Sequence, residues 1–170
     1  MKLLLPFKGL TAAKSRWPVD RESRQELVLR ILTDNLETAS RVLGASNVYL
    51  VSPEPFSREG VSHLTVRGNG LNEDLEQARA WLLETGFEGP LGVLLPDLPA
   101  LDDNDLAALL ETSQKCHVVI CPDHLGVGTN ALALSPAHCL PFLFEGQSYQ
   151  RHLSEAERLS LTTLILKRPG

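Results

Sequence analysis

The chain has 170 residues, 43% of them apolar and 22% charged, with a formal net charge of −5. That length suits one domain with a well-buried core, and the apolar content excludes a disordered chain. The acidic balance argues against general nucleic-acid or anionic-membrane binding, no apolar run approaches the roughly 18 residues of a membrane span, and the opening lacks the parts of a secretory signal, so a cytoplasmic protein is expected.

Residues 2–7 predict a first strand, with Pro6 near its end, where a missing ladder donor is tolerated. A polar loop carrying Lys8, Lys14, Ser15 and Arg16 follows. Asp20 has the chemistry of a helix N-cap, and behind it Leu27, Val28, Ile31, Leu32 and Leu36 fall on one helical face, in a helix ending near Leu43 with Gly44 just beyond. Residues 47–52 predict a second strand, stopped by Pro53 and Pro55, and 64–67 a short third one. Gly68, Asn69 and Gly70 turn the chain into a helix read as capped by Asn72, with Glu73 and Asp74 in its first turn and Gly86 at its end.

The apolar run 91–95, stopped by Pro96 and Asp97, has the pattern of a central parallel strand buried on both faces, as does 118–120 before Pro122 and Asp123. Between them Asp102, with Asp105 three residues on, opens a helix. Residues 131–134 predict a strand, Ser148 opens a helix reaching about Leu159, and 161–166 form a last strand. Strands alternating with helices predict a three-layer α/β sandwich with a mostly parallel sheet, whose ligands bind outside the carboxyl ends of the strands. Lys8, Ser52, Asp97 and Asp123 all stand just past predicted strand ends. Cys116, Cys121 and Cys139 are odd in number and lack metal-ligand spacing, which fits inert reduced thiols.

Five segments have chemistry to offer. Lys8, Lys14 and Arg16 put three cations within nine residues on the predicted ligand edge, suited to a triphosphate or to a solvated basic loop. Asp97, held between Pro96 and Pro99, is a rigidly placed carboxylate that can hold Mg²⁺ against phosphate oxygens or simply close a turn. Gly126, Gly128, Thr129 and Asn130 permit close backbone approach and add a hydroxyl and an amide. Ser148 at a helix start suits an anion or an ordinary N-cap, and His152 one turn on has the pattern of a packing or surface histidine more than a catalyst. Gly70, Leu71 and Asn72 are adequately read as a tight turn into a cap. No GxxxxGK[ST], GxGxxG, HExxH or GxSxG is present.

In order, Pro6-Phe7-Lys8, Ala13-Lys14-Ser15-Arg16, Val51-Ser52, Gly70-Leu71-Asn72, Pro96-Asp97-Leu98-Pro99, Pro122-Asp123, Gly126 with Gly128-Thr129-Asn130-Ala131-Leu132, and Ser148 with His152 span nearly the whole chain. The ordered set resembles the 2-phospho-L-lactate or phosphoenolpyruvate guanylyltransferases of deazaflavin coenzyme F-420 synthesis. That resemblance implies a MobA-like, nucleotide-diphospho-sugar transferase-like (Rossmann-like) fold. It implies GTP and a small phosphorylated three-carbon acid as substrates, Mg²⁺ as cofactor, and no nucleic-acid or membrane partner. Lys8, Lys14, Ser15 and Arg16 would hold the GTP phosphates, and Ser52, Gly70 and Asn72 would lie near the guanosine. Asp97 would bind the metal, and Gly128, Thr129, Asn130 and Ser148 would hold the acceptor. Catalysis would fall to Lys8, Lys14, Arg16 and Asp97.

Two departures bear on this. Members carry Phe-Gly shortly before the Ser, whereas Phe144 here is followed by Glu145, which leaves the acceptor open among phosphoenolpyruvate, 2-phospho-L-lactate and 3-phosphoglycerate. Members also continue past a Pro-Gly into an Asp-x-Asp that completes the metal site, so a single domain ending at Pro169-Gly170 is expected to lack that segment. The rival readings are a catalytically incomplete nucleotide-binding homologue or fragment, and another MobA-like nucleotidyltransferase. Against the second stands a first loop that is Lys-rich, with Gly9 its one glycine. The oligomeric state stays open, a homodimer included.

Overall fold

Alternate residues of each strand face opposite helix layers, and this period of two organises the molecule. The computed structural model describes residues 1–9, 20–56 and 60–168. In chain order the elements are β1 (Lys2–Pro6), α1 (Arg21–Leu43), a 3₁₀ turn (Ala45–Asn47), β2 (Val48–Ser52), β3 (Ser62–Thr65) and α2 (Leu71–Glu84). Then come β4 (Leu91–Leu94), α3 (Asp103–Thr112), β5 (Val118–Pro122), β6 (Thr129–Leu134), α4 (Ser148–Arg158) and β7 (Thr163–Ile165). No helix of the described residues is long and apolar enough to cross a membrane.

The seven strands form one sheet in the order β3-β2-β1-β4-β6-β5-β7. Leu4, Tyr49, Val93 and Ile120 face one way, onto Leu75, Ala78 and Leu82 of α2 and Ala156 of α4. Leu3, Leu5, Leu50, Leu94 and Val119 face the other, onto Leu32, Leu36 and Ala39 of α1 and Leu106 and Leu109 of α3. Helix–sheet–helix layering follows, as the alternation requires.

All pairings are parallel except those of β6, which runs against both β4 and β5. The reason is the link: six residues, 123–128, join β5 to β6, and a parallel return needs a crossover of a dozen or more. Reversal puts the start of β6, Thr129, on the same rim as the ends of β1 and β4.

Helix ends follow local chemistry. Asp20 Oδ1 accepts the Ser23 N–H at 2.9 Å, capping α1, and Gly44 closes it with φ +83°. Asp102 and Asp105 form a reciprocal capping box on α3. Three expectations need correction. Asn72 is not the cap of α2: Gly70 is, at φ +148°, and Asn72 lies inside the helix with its side chain turned to another segment. β3 sits two residues earlier than expected, because register with β2 pairs Tyr49 with Ser62. Leu27, counted on the apolar face of α1, is 40% exposed, so the stripe begins beyond it with half-buried Val28 and buried Ile31. Of the three thiols only Cys121 is buried, where burial pushes its pKa up to about 12; Cys116 and Cys139 are half-buried, and burial raises theirs as well.

Candidate active site

The carboxyl edge of β1 and β4 opens into a cavity of about 220 Å³ lined by Phe7, Lys8, Gly9, Pro96 and Asp97 over an apolar floor that includes Val28, Ile31 and Leu32 of α1. Lys8 and Asp97, both exposed, therefore share one cleft. Leu95 N–H still pairs with the Asn130 carbonyl at 2.9 Å, so the chain stays in the sheet up to the proline. Buried Asn35 of α1 then donates from Nδ2 to the Pro96 carbonyl at 3.1 Å. That bond, with the flanking prolines, fixes where Asp97 stands. Nothing in the local sequence of Asn35 signals it. Lys14, Ser15 and Arg16 lie outside the described residues.

On the side expected to face guanosine, Ser52 is fully buried and its Oγ accepts the Glu54 N–H at 3.1 Å, so it shapes the strand end. Gly70 begins α2, and the buried carboxylate of Asp74 accepts the Gly68 N–H at 2.9 Å, tying the glycine turn to the helix. Asn72 Oδ1 accepts the Phe144 N–H at 2.8 Å, across 72 residues of sequence. Its side chain thus braces the segment that leads into α4.

The residues expected to hold the acceptor gather where β6 and α4 begin. Asp123 closes the hairpin by accepting the Val127 and Gly128 N–H groups, each at 2.9 Å. Burial opposes its ionisation, but these amides outweigh burial and hold its carboxyl below the usual range. A Cβ on Gly128 would come 2.8 Å from Asp123 Oδ2. Gly128→Ala is therefore expected to cost about 1–3 kcal/mol, read as a lower urea midpoint at unchanged slope. An unchanged midpoint would mean that the carboxylate swings aside freely.

Tyr149 N–H donates to the Val127 carbonyl at 3.1 Å, locking α4 onto this hairpin. Thr129 and Ser148 are only 2% and 4% exposed, so their hydroxyls are built into the wall. Ser148 Oγ lies 3.2 Å from Thr129 Oγ1, which lies 3.2 Å from His152 Nδ1. His152 is fully buried, and burial, aided by the charge of Arg151, pushes its pKa down to about 4. It is neutral near pH 7 and is the packing histidine that the sequence favoured. Sequence reasoning missed its hydrogen bonds. It also missed Glu76 and Arg79 of α2, which bond the Phe142 N–H and the Leu140 carbonyl.

The site thus comprises a cationic and acidic cleft at β1 and β4, and a buried hydroxyl pair at β6 and α4, both on one rim. The arrangement suits anionic ligands held without a Ser-His or Cys-His nucleophile. Comparison with known proteins gives the family. The family model described as "Guanylyl transferase CofC like" matches residues 1–167. A phosphoenolpyruvate guanylyltransferase of Rubrobacter xylanophilus is 39% identical over 98% of this chain and 84% of its own length. A 2-phospho-L-lactate guanylyltransferase of Methanocaldococcus infernus is 27% identical over 97% and 75%. Among solved structures, a Desulfovibrio desulfuricans protein assigned to the nucleotide-diphospho-sugar transferases superposes with a TM-score of 0.79 at 16% identity, over 98% of this chain and 80% of that one. The 2-C-methyl-D-erythritol 4-phosphate cytidylyltransferase of Thermus thermophilus gives 0.58 at 15%, over 100% and 89%. These two share the fold, and with the family match and the relatives' identity the conclusion is direct: this chain belongs to the CofC-like guanylyl transferase family.

Proposed function

We propose that the protein transfers a guanylyl group from GTP to a phosphorylated three-carbon acid, phosphoenolpyruvate first among them, releasing pyrophosphate, as a step in making a deazaflavin coenzyme. What carries this reading is the meeting of Lys8 and Asp97 in one cleft at the sheet's carboxyl edge. It is supported by relatives 31–39% identical to this chain that are named phosphoenolpyruvate guanylyltransferases.

An oxygen of the acceptor's phosphate attacks the α-phosphorus of GTP in line. The new O–P bond forms as the bond to the bridging oxygen breaks, and that electron pair leaves on pyrophosphate. A phosphate dianion is already a nucleophile, so no general base is required. Lys8, with Lys14 and Arg16 of the adjoining loop, neutralises the triphosphate. Gly70 allows the backbone close to the nucleoside. Gly128, Asn130 and the Thr129–Ser148 hydroxyls receive the acceptor.

Asp97 also fits a divalent cation. Mg²⁺ is ordinarily held by one or two carboxylates, with phosphate oxygens and water completing its shell. One exposed carboxylate in the cleft meets that need, although the described residues hold no cluster of three acidic, His or Cys groups. Bound there, the ion supplies charge neutralisation at the phosphate oxygens.

The test is a matrix of GTP, CTP and UTP against phosphoenolpyruvate, 2-phospho-L-lactate and 3-phosphoglycerate, with mass detection of the coupled product. GTP with phosphoenolpyruvate is expected to give product and pyrophosphate. A preference for CTP or UTP would point to another nucleotidyltransferase. GTP binding without pyrophosphate release from any pair would point to a binding protein.

A further inference from the structure

Asn35 is an amide set among aliphatic side chains. It stands on the inner stripe of α1 with Leu32, Leu36 and Ala39, all fully buried, and is itself 2% exposed. An apolar residue would suit that stripe, and a buried amide is tolerated there only when hydrogen-bonded. Its Nδ2 donates to the Pro96 carbonyl at 3.1 Å, across 61 residues of sequence. The bond thus reaches the residue immediately before Asp97. Ile31 and Leu32, one turn back on the same stripe, line the cleft that Lys8 and Asp97 share.

What this bond controls follows from the geometry of proline. The ring locks φ of Pro96, and the peptide link to Asp97 is planar. The soft torsion left to Pro96 is ψ, and a change in ψ swings its carbonyl oxygen. Upstream, Leu95 is held in the sheet by its bond to the Asn130 carbonyl. With the Pro96 oxygen tied to Asn35, ψ is set, and so is the direction in which the Asp97 N–Cα bond leaves. The far end of the same connection is tied to the same helix. Arg41 grips the Asp103 carboxylate, at the start of α3, with hydrogen bonds of 2.9 and 2.7 Å. The link from β4 to α3 is therefore anchored to α1 at both ends, by a buried amide next to Asp97 and by an exposed ion pair beyond it.

We propose that Asn35 is a positioning residue for the metal: by fixing ψ of Pro96, it aims the Asp97 carboxylate at a divalent cation carried on the triphosphate. The inference rests on the metal role given to Asp97 above. Mg²⁺ demands a near-ideal octahedral shell with oxygens at about 2.0–2.1 Å, so a carboxylate turned slightly away is a poorer ligand. Asn35 acts through the backbone alone.

The experiment is a double-mutant cycle read by binding. GTP affinity is measured by calorimetry without acceptor, once in EDTA and once with Mn²⁺ in place of Mg²⁺, and the ratio of the two is the gain the metal brings. Wild type, Asn35→Leu, Asp97→Asn and the double variant are compared. Leucine keeps the branched outline of asparagine and loses the donor. It is expected to cut the gain about tenfold while the affinity in EDTA moves less than about twofold. In the Asp97→Asn background the same change is expected to shift the gain less than about twofold, because the carboxylate it aims is gone. Asn35→Ala is carried alongside, and it decides the matter if leucine disturbs the core. An undiminished gain without the Asn35 amide, an equal loss with and without the metal, or losses that add in the double variant would overturn the proposal. A wild type that gains nothing from Mn²⁺, or an intact gain in Asp97→Asn, removes the metal role itself and this inference with it. A gain lost in Asp97→Asn and intact in the Asn35 variants removes the inference alone. The cycle needs no turnover, so it still decides if no acceptor gives product.

Discussion

Replacing Asp97 by asparagine is expected to lower pyrophosphate release from GTP and phosphoenolpyruvate about 10³-fold at fixed Mg²⁺. The substitution keeps the size of the side chain and removes only its charge. The Asn35 bond goes to the Pro96 carbonyl and not to the carboxylate, so that brace survives the substitution. Excess Mg²⁺ should recover little activity. Near-normal pyrophosphate release by Asp97→Asn would remove the metal role assigned to this residue and leave Lys8 and its loop as the charge-neutralising groups.

Mild acid should produce the second large effect. Folding places His152 where burial first, and Arg151's charge second, bring its pKa from an ordinary 6.5 to about 4. The unfolded chain takes up this proton as pH falls through about 6.5, and the native protein does so only near 4. Between those values the unfolded state binds more protons, so stability is full above the upper limit and declines toward the lower one. The decline should approach about 3 kcal/mol, measurable by urea unfolding at a series of pH values. His152→Asn should flatten the curve in that window. The carboxylates of Asp20, Asp102 and Asp103, held below their ordinary 3.8, and of Glu111 and Glu155, held below 4.5, lose their contribution at or below the foot of this window, and do so equally in variant and wild type. Parallel curves for variant and wild type would show that the ring titrates in the native state as it does in water.

Much of the fold was legible because it is written locally. The run ending at Leu94 is apolar on consecutive residues because both faces of β4 are covered, and Pro96 stops it. Asp20 and Asp102 announce their helices by side-chain chemistry that acts within three residues. The direction of β6 was not read, although the shortness of the link from β5 contained it. Asn72 misled for a physical reason: the residue type is a good cap, but here a distant amide competes for its oxygen and a glycine two residues earlier takes the turn. In the candidate site, Lys8 and Asp97 could be placed from strand ends alone. The roles of Asn35 and His152, and the burial of Ser52, depend on partners brought close by the sheet, a relation that one-dimensional spacing does not carry.

Segment 135–147, between β6 and α4, has no regular secondary structure, yet α2 and α4 grip it at several points through Asn72, Glu76, Arg79 and His152. A stretch of that length would ordinarily behave as a slack tether. Here it acts as a strut between α2 and α4. Its amides should exchange with solvent hydrogen at rates close to those of α2, and opening one should release the other. The two helices are in this way parts of a single rigid unit rather than separate attachments to the sheet.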